Sequence, residues 1–476
     1  MGDMQLFLPE TVCLLGALLL FGAQVSGARY GVVWGLALLS GVVAIATSVW
    51  TWSLAGEPFF PGIYQVDFFS QFVKTIIAGG FVFVAAISGR PHTVSREAWS
   101  ELPMFLLLAT TGMMMLASAT ELVTLYISME LAAYPMYIVV ALHRGRDVSG
   151  ESSTKYMLQG MVASAVTLYG LSFLFGLTGS TYLNAISSQL GTLSDQPLFW
   201  LAVLLVLAGF LFKLAAFPFH FWAPDTYQAA PHEVVTFVAT ASKVAAIAVL
   251  CRVAALVAPA GVDAELATQV LMWMSVAAMT LGNLAALRQS DLKRLLGYSA
   301  VAHAGYVLIG IQTLSDTGLA AALFYALGYA AMSALCFLVV VELGRDEDLV
   351  SIESLAGLHE RAPMLAATLL IGLFGLIGLP PTVGFIGKWF LFSAAIEQGQ
   401  FAFVLVAAIN SAVALYYYLL VIRQAYCAEG QTDEPIHTGV VTLAVAGGTT
   451  GLVIAMGVVP GWFWTRSVEA VAALMG

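Results

Sequence analysis

Five ionisable side chains stand inside long apolar runs of this sequence, where water is scarce unless the fold admits it. They are Glu130, Lys213, Lys243, His303 and Lys388. An ionisable side chain at the middle of a bilayer costs roughly 2.5–3.5 kcal/mol on insertion scales, so each one needs a partner, a water-filled cavity or a function. All five groups can carry a proton, and the chemistry that they favour is therefore proton transfer.

One acid stands against three lysines in this set. Glu130 and Lys213 have opposite charges at similar depth, so a structural ion pair that holds two helices together is an alternative for these two residues. The alternative fails for Lys243 and Lys388, because no second acid lies in the middle of an apolar run. Burial disfavours the charged form of an amine, so these lysines can bind and release protons. The imidazole of His303 can both accept and donate, which favours a relay in such surroundings.

A proline interrupts the apolar run that contains Lys213. Pro218 follows this lysine by five positions and cannot donate a hydrogen bond to the carbonyl of Leu214. Unwound backbone at membrane depth is tolerated only where protein or water covers it. The sequence therefore predicts a broken helix with a free carbonyl beside the lysine.

A second interruption precedes Lys388. Pro380 and Pro381 free the carbonyls of Leu376 and Ile377, two turns before the lysine. Paired interruptions in the two halves of a transporter mark its transport pathway. Both breaks are thus predicted to lie on the proton path.

The elements that must position these residues are membrane-spanning helices. Hydrophobic residues make up 60% of the chain and charged residues 10%, with a mean hydropathy of +0.91, whereas ordinary soluble domains have roughly 25% charged residues. Apolar runs of about twenty residues recur throughout, each long enough to cross a bilayer. The predicted fold is an all-α polytopic membrane protein, a single membrane domain over 1–476. The predicted spans are 4–24, 30–54, 69–88, 103–119, 121–142, 157–179, 198–220, 232–256, 266–287, 295–313, 317–343, an interrupted 364–396, 402–423 and 438–462.

The broken helices are spans 7 and 12 of these fourteen, five apart. This spacing predicts two inverted five-helix repeats, because an odd number of helices per repeat inverts the second copy. The first repeat would cover 103–256 (spans 4–8) and the second 266–423 (spans 9–13).

Basic residues predict the orientation. Twelve of the eighteen Lys and Arg residues fall on one side of this topology: Arg29, Arg90, Arg96, Arg144, Arg146, Lys155, Arg288, Lys293, Arg294, Arg345, Arg361 and Arg423. Arg252 and Arg466 fall on the other side. Basic loops favour the cytoplasm, so both termini are expected to face outward. Lys74 lies within two turns of a predicted helix start, from where it could extend to the membrane surface.

Several classes of function lack support in this sequence. No GxxxxGK[ST] or GxGxxG motif follows a plausible strand, and the four cysteines have no CxxC or Cys/His ligand spacing. The net charge of −10 excludes a nucleic-acid surface. Energy must come from a gradient or from a partner protein, and no cofactor is expected in this chain.

Six stretches resemble the antiporter-like membrane subunits of respiratory complex I, most closely the subunit N group of bacterial NADH:quinone oxidoreductases. They are Glu130 to Pro135, Lys155 to Gly160, Phe212 to Tyr227, Ala239 to Lys243, Asp291 to Ser299, and Gly378 to Lys388. The resemblance implies fourteen helices with an inverted repeat of five. It also implies a proton-translocating subunit of a membrane-bound enzyme, coupled to quinone reduction elsewhere in the complex.

The resemblance further implies a role for each site residue. Glu130 and Lys213 would be the charge pair that gates transfer, Lys243 and His303 the central relay, and Lys388 the exit-side donor. The chain itself would hold no redox centre, whereas NADH, FMN, iron–sulfur clusters and quinone would bind partner subunits. Expected partners are lipid, a neighbouring subunit M, the lateral helix of a subunit L and small membrane subunits, all in the bacterial inner membrane.

Two features refine the resemblance. Lysine at position 388 favours subunit N, because subunit M typically has a glutamate there, and no lateral helix like that of subunit L is expected after the last span. His232 and Glu233 stand where relatives usually have an uncharged turn, which leaves a different neighbour or a local proton site open.

Rivals to the complex I hypothesis are a subunit of a multi-subunit Na⁺/H⁺ antiporter or membrane-bound hydrogenase, a scaffold for an electron-transfer arm, and a solute transporter.

Overall fold

A computed structural model describes residues 3–54, 58–60, 62–89, 93–94, 98–143, 147–257, 264–344, 350–430 and 434–475. Five arginines of the orientation argument lie outside these residues, namely Arg90, Arg96, Arg144, Arg146 and Arg345. Within the described part, helices are nearly the whole of the secondary structure. The all-α polytopic fold is confirmed, and thirteen helices within the described residues are long and apolar enough to cross a membrane.

The helices follow one another along the chain with short connections. The first twelve are α1 (Leu8–Val25), α2 (Tyr30–Trp50), α3 (Phe68–Ile87), α4 (Glu101–Ser118), α5 (Leu122–Val140), α6 (Asp147–Thr178), α7 (Leu183–Ser187), α8 (Leu190–Leu193), α9 (Pro197–Leu214), α10 (Trp222–Ala229), α11 (His232–Phe237) and α12 (Lys243–Val257). The remainder are α13 (Glu265–Ala286), α14 (Leu292–Gln312), α15 (Asp316–Leu343), α16 (Leu358–Arg361), α17 (Pro363–Ile377), α18 (Val383–Glu397), α19 (Phe401–Cys427), α20 (Val440–Val458) and α21 (Gly461–Met475).

Irregular elements are few in the same residues. The π-helical turn Val238–Ser242 joins α11 to α12. Short 3₁₀ helices cover Asp3–Phe7, Thr51–Leu54 and Glu353–Leu355. Two antiparallel strands of two residues, β1 (Pro58–Phe59) and β2 (Tyr64–Gln65), pair between α2 and α3. Neither strand crosses the membrane domain.

The observed helices agree with thirteen of the predicted spans, and the twelfth span is two helices, α17 and α18. The seventh span ends at Leu214 rather than at residue 220, because the chain unwinds there before α10 begins. The sixth span starts ten residues earlier than predicted. Helix α21 was not predicted, and it packs against α3 and α15.

Burial divides the helices into an inner and an outer set. The α11–α12 span, α14 and α15 are almost wholly buried, whereas fewer than half of the residues in the spans of α1, α2, α6, α13, α19 and α20 are buried. A helix that is apolar all round belongs in the interior of a bundle or against lipid. The inner set carries Lys243 and His303, so two of the five predicted site residues lie in the buried core of the bundle.

Both predicted helix breaks are present. Helix α9 ends in a left-handed residue, Ala215 (φ 59°), and α17 ends in a left-handed glycine, Gly378 (φ 90°). A Cβ atom at Gly378 would lie 3.0 Å from Cδ of Lys388, so glycine suits both this backbone conformation and the close approach of the lysine. Each break also contains one cis peptide bond to a proline, at Pro218 and at Pro381.

Candidate functional site

The first helix break presents its free carbonyls to a lysine from another helix. Nζ of Lys243 lies 2.6 Å from the carbonyl oxygen of Leu214 and 3.5 Å from that of Lys213. The indole of Trp222 donates to the carbonyl of Phe212 at 2.8 Å, and its ring centroid lies 5.2 Å from Nζ of Lys243. The negative end of the α9 dipole therefore faces a buried cation, which is a favourable arrangement.

Lys213 turns away from this break although it belongs to the last turn of α9. Its Nζ donates to the carbonyl of Met129 on α5, at 3.1 Å. Met129 precedes Glu130, whose Oε1 is buried without a hydrogen-bond partner among the described residues. Among the described residues, Glu130 and Lys213 do not form an ion pair, because no carboxylate oxygen of Glu130 lies within 4.0 Å of the Lys213 ammonium. The two charges are thus neighbours in an unpaired arrangement, and a static ion pair does not describe them.

The second helix break contacts a lysine of α18, the helix that follows the break. Nζ of Lys388 on α18 donates to the carbonyls of Leu376 (3.2 Å) and Ile377 (2.8 Å) and to Oγ of Ser411 (2.8 Å). The Tyr306 ring lies 4.6 Å from the same nitrogen. The carbonyls that Pro380 and Pro381 were predicted to free are therefore the ones that this ammonium contacts.

His303 lies between two tyrosines from different helices. Its Nδ1 is 2.6 Å from the hydroxyl of Tyr325 on α15, and its Nε2 is 3.4 Å from the hydroxyl of Tyr418 on α19. The Tyr418 hydroxyl also contacts Oγ of Ser299. Both ring nitrogens thus have partners that can donate or accept, as a relay requires.

The structure brings the five predicted residues together in two groups. Lys243 contacts the backbone of Lys213, and Lys213 contacts the residue before Glu130. In the other half, the Tyr306 ring lies next to both His303 (5.8 Å between ring centroids) and Lys388. Among the described residues, no hydrogen bond joins Lys243 to His303 directly.

Sequence reasoning missed the side chains that surround the residues of the predicted relay. Trp222, Tyr306, Tyr325, Tyr418 and Ser411 each contact one of its titratable groups. A signal was available, because a buried tyrosine or tryptophan usually needs a partner for its polar atom. Which partner it finds depends on the packing of helices far apart in the sequence.

The predicted position of Lys74 at the membrane surface is wrong. Its side chain is 0% exposed and forms an ion pair with Glu10 at 2.8 Å, and Glu10 also accepts from the hydroxyl of Tyr64 at 2.6 Å. Arg252, which the predicted topology assigns to the outer side, is a buried partner of Asp67 at 2.9 Å. These buried ion pairs tie α1 to α3, and the start of α3 to α12.

The described residues contain neither a cluster of metal-ligating side chains nor a disulfide bond. No group of three or more His, Cys, Asp or Glu residues there could hold a metal ion. All four cysteines have free thiols, and three of them are buried. The arrangement described above can bind, hold and pass protons.

Comparison with known proteins identifies a family. Residues 119–414 match the family described as NADH:quinone oxidoreductase/Mrp antiporter membrane subunits. The chain is 43% identical over 432 residues to NADH-quinone oxidoreductase subunit N 2 of Opitutus terrae, covering 90% of this chain and 89% of that protein. It is 40% identical over 469 residues to the protein of the same name from Solidesulfovibrio magneticus, covering 98% of each.

A solved structure has the same architecture over nearly the whole chain. It is a chain of respiratory complex I from Thermus thermophilus with bound aureothin, 32% identical, with a TM-score of 0.83. The match covers 96% of this chain and 98% of that one. The likeness therefore extends well beyond the residues of the family match.

Proposed function

The chain belongs to the family of membrane subunits of NADH:quinone oxidoreductases and Mrp antiporters, and from this premise we propose that it is the proton-translocating subunit N of an NADH:quinone oxidoreductase. It acts as part of a translocase and performs no electron transfer itself. The observation that carries the proposal is that both helix breaks present free carbonyls to a buried lysine ammonium with no carboxylate among its contacts, Lys243 in one half and Lys388 in the other.

Backbone carbonyls suit a lysine that must change its protonation state. A carbonyl is neutral, so loss of the proton leaves no isolated negative charge in the core, which would cost far more than a neutral polar group. The neutral amine still has donors to offer to the same oxygen atoms. Lys243 and Lys388 can therefore cycle between two states within one geometry.

Glu130 and Lys213 act as the switch of the first half in this proposal. A small movement of the Lys213 ammonium from the Met129 carbonyl to the Glu130 carboxylate would form the pair and draw positive charge away from Lys243. Reversal would bring the charge back and favour release of the Lys243 proton, because like charges repel in a low-dielectric interior.

The energy scale of this switch fits the task. Moving one proton against 100 mV costs about 2.3 kcal/mol. A change of about 2.7 kcal/mol corresponds to a hundredfold change in the proton affinity of one group. Making or breaking one buried charge contact therefore suffices, and the driving force comes from partner subunits.

Protons would then pass from Lys243 to His303 and on to Lys388. Tyr325 and Tyr418 hold the two nitrogens of His303, so the ring can receive a proton on one side and release it on the other. The Tyr306 ring and the Ser411 hydroxyl hold the ammonium of Lys388 at the second break. This order and the inverted repeats over 103–256 and 266–423 remain part of the proposal.

The parent complex and the orientation belong to the same proposal. We expect a bacterial inner membrane, both termini on the outer side, and neighbours that include antiporter-like and small membrane subunits. A subunit of an Mrp-type antiporter or membrane-bound hydrogenase is less supported, because the relatives described above are NADH-quinone oxidoreductase subunits. Mass spectrometry of the gently solubilised complex would identify the neighbours and separate these cases.

Replacing Lys213 or Lys243 with alanine tests the pumping role. The assembled complex is placed in vesicles, and protons translocated per electron are measured with a pH-sensitive dye. We expect the ratio to fall in both variants and to stay normal in Lys155→Ala, whose side chain is 48% exposed and pairs with Glu151. A normal ratio in both test variants would instead favour a scaffold.

A further inference from the structure

A second cluster of ionisable groups lies buried at the starts of α11 and α14. It consists of His232 (2% exposed), Glu233 (3%) and Lys293 (0%), which we call the loading cluster. Nζ of Lys293 donates to the carbonyl of Ala230 at 2.8 Å and lies 3.1 Å from Nδ1 of His232. The relay proposed above uses none of these groups.

The loading cluster joins the first turns of two core helices. His232 begins α11, and Lys293 lies in the first turn of α14. Lys243 follows His232 by eleven residues and His303 follows Lys293 by ten, which places each relay group roughly 15 Å deeper. One cluster therefore stands at the head of the two helices that carry the relay.

The cluster contains groups suited to taking up a proton. An imidazole can receive a proton at one nitrogen and release one from the other. The buried Glu233 carboxylate, next to His232 in sequence, accepts from Oγ1 of Thr93 at 3.3 Å. The cationic Lys293 fixes the imidazole through Nδ1. A protonated His232 would repel the Lys293 ammonium beside it, so the imidazole and the amine of this hydrogen-bonded pair would hold one extra proton between them.

The surroundings of His232 are close-packed. Its Nε2 faces the end of α15, where a Cβ atom on Gly344 would lie 2.1 Å away. The nearest carboxylate along α15 is Glu342, which accepts from Thr442 at 3.1 Å. A half-exposed ion pair, Arg294 with Asp225 at 2.7 Å, lies next along α14. Partly exposed charges therefore lie beside the buried cluster in the chain.

Two buried hydroxyls lie between His232 and Lys243 on the same helical span. Oγ1 of Thr236 donates to the carbonyl of His232 at 2.8 Å, and Oγ1 of Thr240 donates to the carbonyl of Thr236 at 2.7 Å. Residues four apart share one face of a helix, with side chains roughly 5–6 Å apart, a gap that one water molecule can bridge. The π-helical turn Val238–Ser242 then leads directly into Lys243.

We propose that His232, Glu233 and Lys293 form a proton-loading site, from which protons reach Lys243 along the hydroxyls of Thr236 and Thr240. The site takes protons from the aqueous phase on the side of the membrane where α14 begins. It rests on the proposed pumping function and adds to it the place where protons enter the first half of the chain. It also accounts for His232 and Glu233, which depart from the family pattern.

Two substitutions test the path in the assembled complex. His232→Gln keeps an acceptor for Lys293 but cannot carry a proton, and Thr236→Val removes a hydroxyl at nearly constant volume. We expect protons translocated per electron to fall in both variants by most of the loss seen in Lys243→Ala. The conservative Thr236→Ser should restore the ratio, because it keeps the hydroxyl.

A matched control separates loss of the path from loss of packing. Thr110 on α4 is equally buried and makes the same hydroxyl bond, to Leu106 at 2.8 Å, so Thr110→Val should leave the ratio unchanged. If Lys243→Ala lowers the ratio whereas His232→Gln and Thr236→Val do not, the loading site is wrong and the proposed function stands. If Lys243→Ala has no effect, the proposed function itself is wrong, and the loading site falls with it.

Discussion

The N-terminal helices and the helix breaks both bury cations, but they hold them differently. At α1 to α3, each buried cation meets a carboxylate: Lys74 with Glu10 at 2.8 Å, and Arg252 with Asp67 at 2.9 Å. In such a pair, the attraction between the two charges offsets the cost of removing them from water, and it does so only while both charges are present. Removal of one proton would leave an isolated buried charge, so these pairs are fixed.

At the helix breaks, the lysines meet neutral groups. Lys243 and Lys388 contact carbonyl oxygens, a hydroxyl and aromatic rings. Oε1 of Glu130, the residue after the Met129 carbonyl that Lys213 contacts, has no hydrogen-bond partner in the described residues. The difference teaches that burial alone does not decide which lysines suit the proposed role of proton carrier. The partner decides, because a neutral partner tolerates both protonation states.

The largest loss of stability is expected from Lys74→Met. The substitution leaves the Glu10 carboxylate buried without its cation, and such a broken pair costs about 3–5 kcal/mol. We expect the free energy of unfolding in detergent to fall by this amount, while protons translocated per electron stay normal in the complexes that assemble.

The double variant Glu10→Gln with Lys74→Met is the control for this prediction. It removes both charges, so a large part of the stability should return. A lowered pumping ratio in either variant would contradict the division between fixed pairs and relay.

A smaller loss of stability is expected from Lys388→Met. The carbonyl of Leu376 loses its lysine donor, whereas Ile377 keeps a hydrogen bond from Ser411 at 3.2 Å. One buried carbonyl without a donor costs about 1–3 kcal/mol. The midpoint of thermal unfolding should fall accordingly, and protons translocated per electron should fall sharply. Normal pumping here would remove Lys388 from the relay.

The smallest change in stability is expected from Glu130→Gln. No cation lies within ion-pair distance of this carboxylate in the described residues, so the neutral amide removes a buried charge that has no cation partner there. The free energy of unfolding should stay within about 1 kcal/mol of wild type or rise. Pumping should nevertheless fall, because Lys213 loses its alternative partner. A large loss of stability would show that the pair is structural.

Hydropathy and proline positions predicted the membrane-spanning helices and the two helix breaks that surround the candidate site. Apolar runs predicted the spans because crossing lipid demands about twenty apolar residues. Pro218, Pro380 and Pro381 predicted the breaks, because a proline cannot donate the hydrogen bond that continues a helix. The buried lysines stood out for the same reason, since a charge in an apolar run is costly.

The partners of those lysines could not be predicted, because they come from helices distant in sequence. The Leu214 carbonyl was expected beside Lys213, yet Lys243 of another helix reaches it, at 2.6 Å. Lys74 was expected at the surface, yet it meets Glu10 in the interior, sixty-four residues away in the chain. Local spacing fixes which residues share a helix face, but it does not fix which faces meet.

The sequence by itself determined that this chain crosses a membrane many times, where two of its helices break, and which few ionisable groups lie in the membrane. Those properties follow from the local cost of placing charge and unpaired backbone in an apolar medium. Only the tertiary structure decided which cations are locked by carboxylates and which rest on neutral carbonyls. That choice depends on contacts of about 3 Å between helices, and packing alone brings such groups together.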